Sequence, residues 1–309
     1  MLKVTLLGTG GTQPLPDRAL AAAAVTVAGR SVLLDCGEGT QVGLRRYGVS
    51  AYRLSAVLLT HYHGDHILGL PGLLQTLGSL NRTEPLTVYG PAGLDAVARP
   101  VMALAGAQPY PVLWREADAP FAVDALKITP FPLEHRVPCC GYALELPRAG
   151  RFDPARARAA GIPVAYWKTL QKGAAAGGFT PEQVLGPPRR GLKVVYATDT
   201  RPCAALEAAA RDADLVFTGE GRIDAQSTHG KVVGGVARRA HARGVPVFAI
   251  VGDVGDDAYG AYDAGVSAIF SINRLAVPRD EAKARSHIDY THTLDDLLRC
   301  IRAAEQFKR

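Results

Sequence analysis

The 309-residue chain is 48% hydrophobic and 21% charged, proportions of an ordinary globular protein with enough length for one large α/β domain or two smaller ones. No apolar run approaches bilayer-spanning length, the opening MLKVTLLGTGG lacks a secretory cleavage signature, and five cysteines including adjacent Cys139 and Cys140 make a poor disulfide framework. Membrane insertion and an oxidising compartment are therefore not expected, and a cytoplasmic location is. The formal charge of +6 mildly favours a polyanionic partner.

In chain order, LKVTLL (2–7) reads as an apolar strand followed by the glycine turn GTGGT. That turn lacks GxGxxG and a βαβ context, so it does not mark a dinucleotide site. AAVTVAG and RSVLLDCG read as a hairpin, with a helix near 40–47, the strand RLSAVLLT (53–60) and the helix ILGLPGLLQTLGSL. LTVYG, a helix from about residue 92, LKITPFPLE and CGYALEL continue the alternation. Residues 148–193 then gather Arg148, Arg151, Arg156, Arg158, Lys168, Lys172, Arg189, Arg190 and Lys193 around Tyr166 and Trp167. Two readings stay open for this stretch: a grip on a phosphate backbone with an unpaired base, or a solvated surface excursion. GLKVVYATDT is the next strand. From about residue 212 the texture becomes successive βα units (DLVFTGE, KVVGGVARRAHARG, VPVFAIVGDVG, VSAIFSIN), a doubly wound pattern of parallel strands closed by a helix from about 293 to 304.

The densest chemistry lies in LLTHYHGDHILGL (58–70). His61 and His63, two apart on extended backbone, point to one side. Asp65 and His66 follow on the turn into the next helix, and Gly64 lets the chain fold tightly between them. Imidazole and carboxylate donors ordered by so little chain suit zinc. Chance placement of three of only eight histidines here is the weaker reading.

HYHGDH resembles the HxHxDH signature of the metallo-β-lactamase superfamily, which implies a four-layer αββα sandwich. LLGTGG, DCGEGTQ (35–41), EHRVPCCGY (134–142), YATDTRPC (196–203) and the segments GRFDPARARAAGIP and VLGPPRRGLKV narrow the resemblance to the ribonuclease Z family over residues 1–212. The basic stretch 148–193 would be its arm insertion. The resemblance implies a zinc-dependent endoribonuclease that hydrolyses a phosphodiester of precursor tRNA to remove the 3′ trailer. It implies that His61, His63 and His135 hold one zinc, that Asp65 and His66 hold a second, and that Asp199 bridges them. Asp65 would also be the proton acceptor, with water activated for in-line attack on phosphorus. Lys168, Lys172, Arg189 and Arg190 are the candidate substrate contacts. The family works as a homodimer. Its arm carries a Gly-Pro motif, of which GIPVAYWKTLQKG keeps only Gly161 and Pro163.

Beyond "ADL" the family's His-Glu motif, His-Ser-Thr helix and LTH strand are absent. Residues 213–309 instead resemble the C-terminal segment of bacterial glycerate kinase, through DADLVFTGEGRIDAQSTHGKVVGGVARRA, VPVFAIVGDVGDD and THTLDDLLRCIR. The chain thus resembles a chimera. Kinase activity is not expected, because the N-terminal half of that site is missing and no GxxxxGK[ST] loop is present. Laid over the family, the tail puts Gly252 at the missing histidine's place, which makes adjacent Asp253 the candidate substitute ligand and puts His229 near the His-Ser-Thr position. The alternatives are a hydrolase of another phosphodiester or ester on the same fold, and an inactive chimera lacking the last zinc-ligand histidine.

Overall fold

The computed structural model describes residues 2–15, 19–228 and 232–307. The chain divides into two compact units, Met1–Thr12 with Leu20–Pro132 and Val137–Thr198, and Gln13–Ala19 with Leu133–Arg136 and Asp199–Arg309.

The first unit contains a six-stranded sheet in sequential order: β1 (Leu2–Gly8), β2 (Ala22–Val27), β3 (Arg30–Leu34), β4 (Leu54–Leu58), β5 (Leu86–Gly90) and β6 (Val112–Glu116). The first three strands are antiparallel and β3 to β6 are parallel. Ala28 and Gly29 join β2 to β3 with φ of 50° and 81°, the positive-φ pair that a two-residue hairpin turn requires. A four-stranded antiparallel sheet runs in the order β10 (Arg189–Tyr196), β9 (Cys140–Arg148), β8 (Leu126–Pro132), β7 (Phe121–Val123).

The two sheets pack face to face. Val25, Val32, Leu34, Ala56 and Leu58 from the first meet Ile128, Tyr142 and Leu144 from the second. On the other side of the six-stranded sheet, Leu33, Leu54 and Val57 meet the helices α1 (Thr40–Arg46), α3 (Leu70–Ser79) and α4 (Leu94–Ala105) through Leu44, Leu73, Leu77 and Val101. The short α2 (Gly64–Ile67) precedes α3. Burial on both faces explains why β2, β3 and β4 carry consecutive apolar residues (22–25, 32–34 and 56–58) where a half-covered strand would alternate. β8, covered on one face only, alternates buried Leu126 and Ile128 with exposed Lys127 and Thr129. β6 and β7 were not distinguishable in the sequence, being short and lacking a clean alternation.

The basic excursion is a small folded lobe of the first unit. It contains α5 (Pro154–Ala159) and α6 (Val164–Gln171) around a core of Ala157, Ile162, Leu170 and Val184. Asp153 caps α5 by accepting the amides of Ala155 and Arg156. Trp167 belongs to this lobe's packing. Its Nε1 donates to the Ile162 carbonyl (2.9 Å), its ring lies 5.3 Å from Phe152, and Arg158 stacks over it at 5.8 Å. Trp167 is thus partly buried within the lobe.

The second unit holds three parallel strands in the order β11 (Val216–Ile223), β12 (Val247–Val254), β13 (Ala268–Ser271). The helices α7 (Ala204–Ala209), α8 (Val232–His241), α9 (Gly260–Asp263) and α10 (Arg279–Phe307) belong to the same unit. Val233 and Ala237 of α8 and Ala261 of α9 share one core with Val247, Ala249 and Val251 of β12. Both crossovers between these strands therefore lie on the same face of the sheet. The other face carries Phe217, Phe248 and Phe270, with ring centroids 6.3 and 5.7 Å apart. The last helix starts at Arg279 rather than near 293. Pro278 precedes it, and Asp280 and Glu281 in its first turn favour the positive end of the helix dipole. No described helix is long and apolar enough to cross a membrane, and all five cysteines are thiols.

Candidate metal centre

The segment that follows β4 carries the first group of side chains. Strand pairing ends at Leu58, and the next residues are pinned from two sides: the Cys140 amide donates to the Thr60 carbonyl (2.9 Å), and the buried Tyr142 hydroxyl donates to the Leu59 carbonyl (2.7 Å). His61 is wholly buried. Its Nε2 lies 3.0 Å from His63 Nδ1. Two imidazole nitrogens on one tetrahedral zinc, at about 2.0–2.1 Å each, would stand roughly 3.3 Å apart, so this pair fits a shared ion. His63 is the residue before α2, Asp65 lies in its first turn and His66 is buried in it. His66 Nε2 is 3.9 Å from Asp65 Oδ2, which also accepts the Thr12 amide at 3.0 Å.

The loop after β3 holds α2 in place. The Cys36 amide donates to the His66 carbonyl (2.7 Å) and the Gly69 amide to the Cys36 carbonyl (2.9 Å). A Cβ at Gly37 would stand 2.3 Å from the Asp65 carbonyl oxygen, and one at Gly69 2.1 Å from the Gly37 carbonyl oxygen. Only glycine permits this backbone approach. At the head of that loop Asp35, with φ of 56°, is fully buried. Its carboxylate accepts from the Thr60 amide (2.7 Å), the Thr60 hydroxyl (3.0 Å), His66 Nδ1 (2.9 Å) and the Tyr196 hydroxyl (3.2 Å). A buried carboxylate on Nδ1 leaves Nε2 as the nitrogen of His66 that could ligate a metal. The motif DCGEGTQ alone gives no role to Asp35, and Thr60 carries no motif of its own. The available signal was an acid directly after an apolar strand, where a buried charge demands partners.

Burial pushes the Cys36 thiol up to about 12 and the Cys140 thiol up to about 11. Both stay protonated near neutral pH and are poor nucleophiles. Burial also raises Tyr62, whose hydroxyl donates to the Pro91 carbonyl.

In the second unit, Glu134 and Arg201 form an antiparallel bridge. The Arg201 amide donates to the Glu134 carbonyl (2.9 Å) and the Glu134 amide to the Thr200 hydroxyl (3.1 Å). This pairing brings together His135 and Asp199, residues far apart in sequence, with ligand atoms within 4.8 Å of each other. Asp253, at the end of β12, accepts the Asn273 side-chain amide at 2.5 Å. No cluster of three or more described His, Cys, Asp or Glu ligand atoms includes it. His229 lies outside the described residues. Lys168 on α6, Lys172 directly after it, and Arg189 and Arg190 at the start of β10 are exposed, and Arg189 Nε donates to the Ala149 carbonyl.

Residues 30–170 match the beta-lactamase superfamily domain, and residues 162–302 match the glycerate kinase family. Ribonuclease Z from Agathobacter rectalis is 42% identical over 222 residues, covering 70% of this chain and 73% of its own length. Among solved structures, the metallo-beta-lactamase fold protein YhfI from Bacillus subtilis aligns with a TM-score of 0.57 at 20% identity, covering 87% of this chain and 95% of that one. Human tRNase Z, short form, aligns with a TM-score of 0.54 at 23% identity, covering 81% and 92%. The fold is that of the metallo-β-lactamases, and at this identity and coverage the chain belongs to the ribonuclease Z family.

Proposed function

We propose that this chain removes the 3′ trailer of precursor tRNA by phosphodiester hydrolysis at a zinc centre formed by His61, His63, Asp65, His66, His135 and Asp199. The observation that carries the reading is the arrangement around Asp35: a buried carboxylate orients His66 while His61 and His63 turn ring nitrogens toward one point. His61, His63, His135 and Asp199 would hold one zinc, and Asp65, His66 and Asp199 a second. When bound, zinc supplies a water acidified to a pKa of about 7 and neutralises charge growing on the phosphoryl oxygens. Asp65 accepts the proton of the attacking water. The Thr12 amide engages its Oδ2 and leaves Oδ1 to take that proton.

Three protein donors and a water suffice for a catalytic zinc. A second zinc would therefore not require Asp253, whose Oδ1 accepts from Asn273. Exposed Lys168, Lys172, Arg189 and Arg190 would meet phosphates of the RNA. The reading includes a cytoplasmic homodimer, for which light scattering should give twice the 32.7 kDa chain mass.

The test is cleavage of a precursor tRNA bearing a 3′ trailer, abolished by a chelator and restored by zinc. Turnover of a small phosphodiester without tRNA cleavage would favour a different hydrolase on this fold. Zinc binding with no turnover of either substrate would make the chain an inactive chimera.

A further inference from the structure

We propose that the Thr60 hydroxyl is a positioning group that ties His61 to Asp35, so that one buried carboxylate sets the orientation of two metal-facing histidines. Thr60 Oγ1 lies 3.1 Å from His61 Nδ1 and 3.0 Å from each oxygen of Asp35, while Asp35 Oδ2 lies 2.9 Å from His66 Nδ1. A hydroxyl has one proton and two lone pairs, and a carboxylate only accepts. The Thr60 proton therefore goes to Asp35. A lone pair of Oγ1 is left to accept the proton of His61 Nδ1, which makes Nε2 the unprotonated nitrogen of His61. That nitrogen is the one 3.0 Å from His63 Nδ1. Thr198 Oγ1, 3.2 Å from Thr60 Oγ1, can donate to the remaining lone pair.

Thr60, His61 and Asp35 are fully buried and His66 nearly so, so no solvent molecule replaces a lost member, and a missing partner costs more than it would at the surface. His61 belongs to the first proposed zinc and His66 to the second. Thr60 and Asp35 thus connect the two metal sites through a chain of three hydrogen bonds. Groups behind a metal ligand typically alter metal affinity or activity about 10–100-fold when removed.

This inference rests on the zinc reading, and the experiment separates the two. Zinc-loaded protein labelled with 15N-histidine is compared with Thr60→Val, Thr60→Ser and Asp35→Asn by NMR of the imidazole nitrogens, with zinc affinity measured by competition with a chelator. Wild type should show His61 and His66 both as Nδ1–H tautomers with slowly exchanging protons. Thr60→Val should lose the protection at His61 alone and bind zinc about 10–100-fold more weakly. Thr60→Ser should restore both, and Asp35→Asn should disturb both histidines. A wild-type His61 in the Nε2–H form overturns the proposal without any variant, as does a Thr60→Val protein with unchanged signals and affinity. A wild type that binds no zinc overturns the zinc reading itself.

Discussion

Two places in this molecule put acids directly after strands, and they differ in what those acids touch. After β3 in the first unit, buried Asp35 gathers donors from Thr60, His66 and Tyr196, residues 25 to 161 positions away in sequence. After β11 in the second unit, Asp224 accepts within its own turn, from the Gln226 amide at 3.1 Å and the Ser227 hydroxyl at 3.3 Å, while Asp253, still within β12, accepts from Asn273. The first arrangement fixes the direction of the buried His66 ring. The contacts of Asp224 with Gln226 and Ser227 shape a turn. Similar residue types at strand ends thus make a site only where packing removes water and supplies distant partners.

The largest expected effect separates these two places. His61→Ala or Asp199→Ala should cut precursor-tRNA cleavage about a thousandfold or more, since metal catalysis supplies several kcal/mol of transition-state stabilisation. Asp224→Ala should leave cleavage by the folded protein unchanged, and steady-state kinetics on purified variants checks both. Next comes packing. Leu33, fully buried between β2, β4 and the helices, should cost about 2–5 kcal/mol when changed to Ala, measurable by urea unfolding.

Alkaline pH bears on the same loop. Burial raises Cys36 from 9.0 to about 12, so the folded state keeps a proton that the unfolded chain releases. The stability this confers is fully present below pH 9 and is lost as pH rises toward 12, with a slope up to about 1.4 kcal/mol per pH unit. A Cys36→Ala variant should flatten that part of the pH–stability curve.

Smaller effects follow at the surface. Lys168→Ala with Lys172→Ala should weaken precursor-tRNA binding and lower the salt slope of log K by about 1–2, with little change in the rate of saturated enzyme. Asp253→Ala should leave zinc content unchanged, because Asn273 engages its Oδ1 and no cluster of described ligand atoms includes it.

Much of the first unit was legible in the sequence. HYHGDH compresses four donors into six positions, and unbroken apolar runs mark strands covered on both faces. The glycines of DCGEG and HILGL carry a signal of a different kind: Gly37 and Gly69 report an approach of two loops that sequence order does not reveal. The roles of Asp35 and Thr60 were not legible, since they depend on which distant donors packing delivers. The packing of Trp167 was not legible either, because an aromatic among cations has the same appearance in sequence whether it faces solvent or joins a small core. The face on which α8 and α9 land was not legible either, because strand and helix alternation does not say on which face each helix lands.

Elemental analysis of zinc per chain, on wild type and on Asp199→Ala, tests the central claim most directly. Close to two zinc ions per wild-type chain, falling in Asp199→Ala, is the expected result. A wild type without zinc, or with a zinc content indifferent to Asp199→Ala, would contradict it.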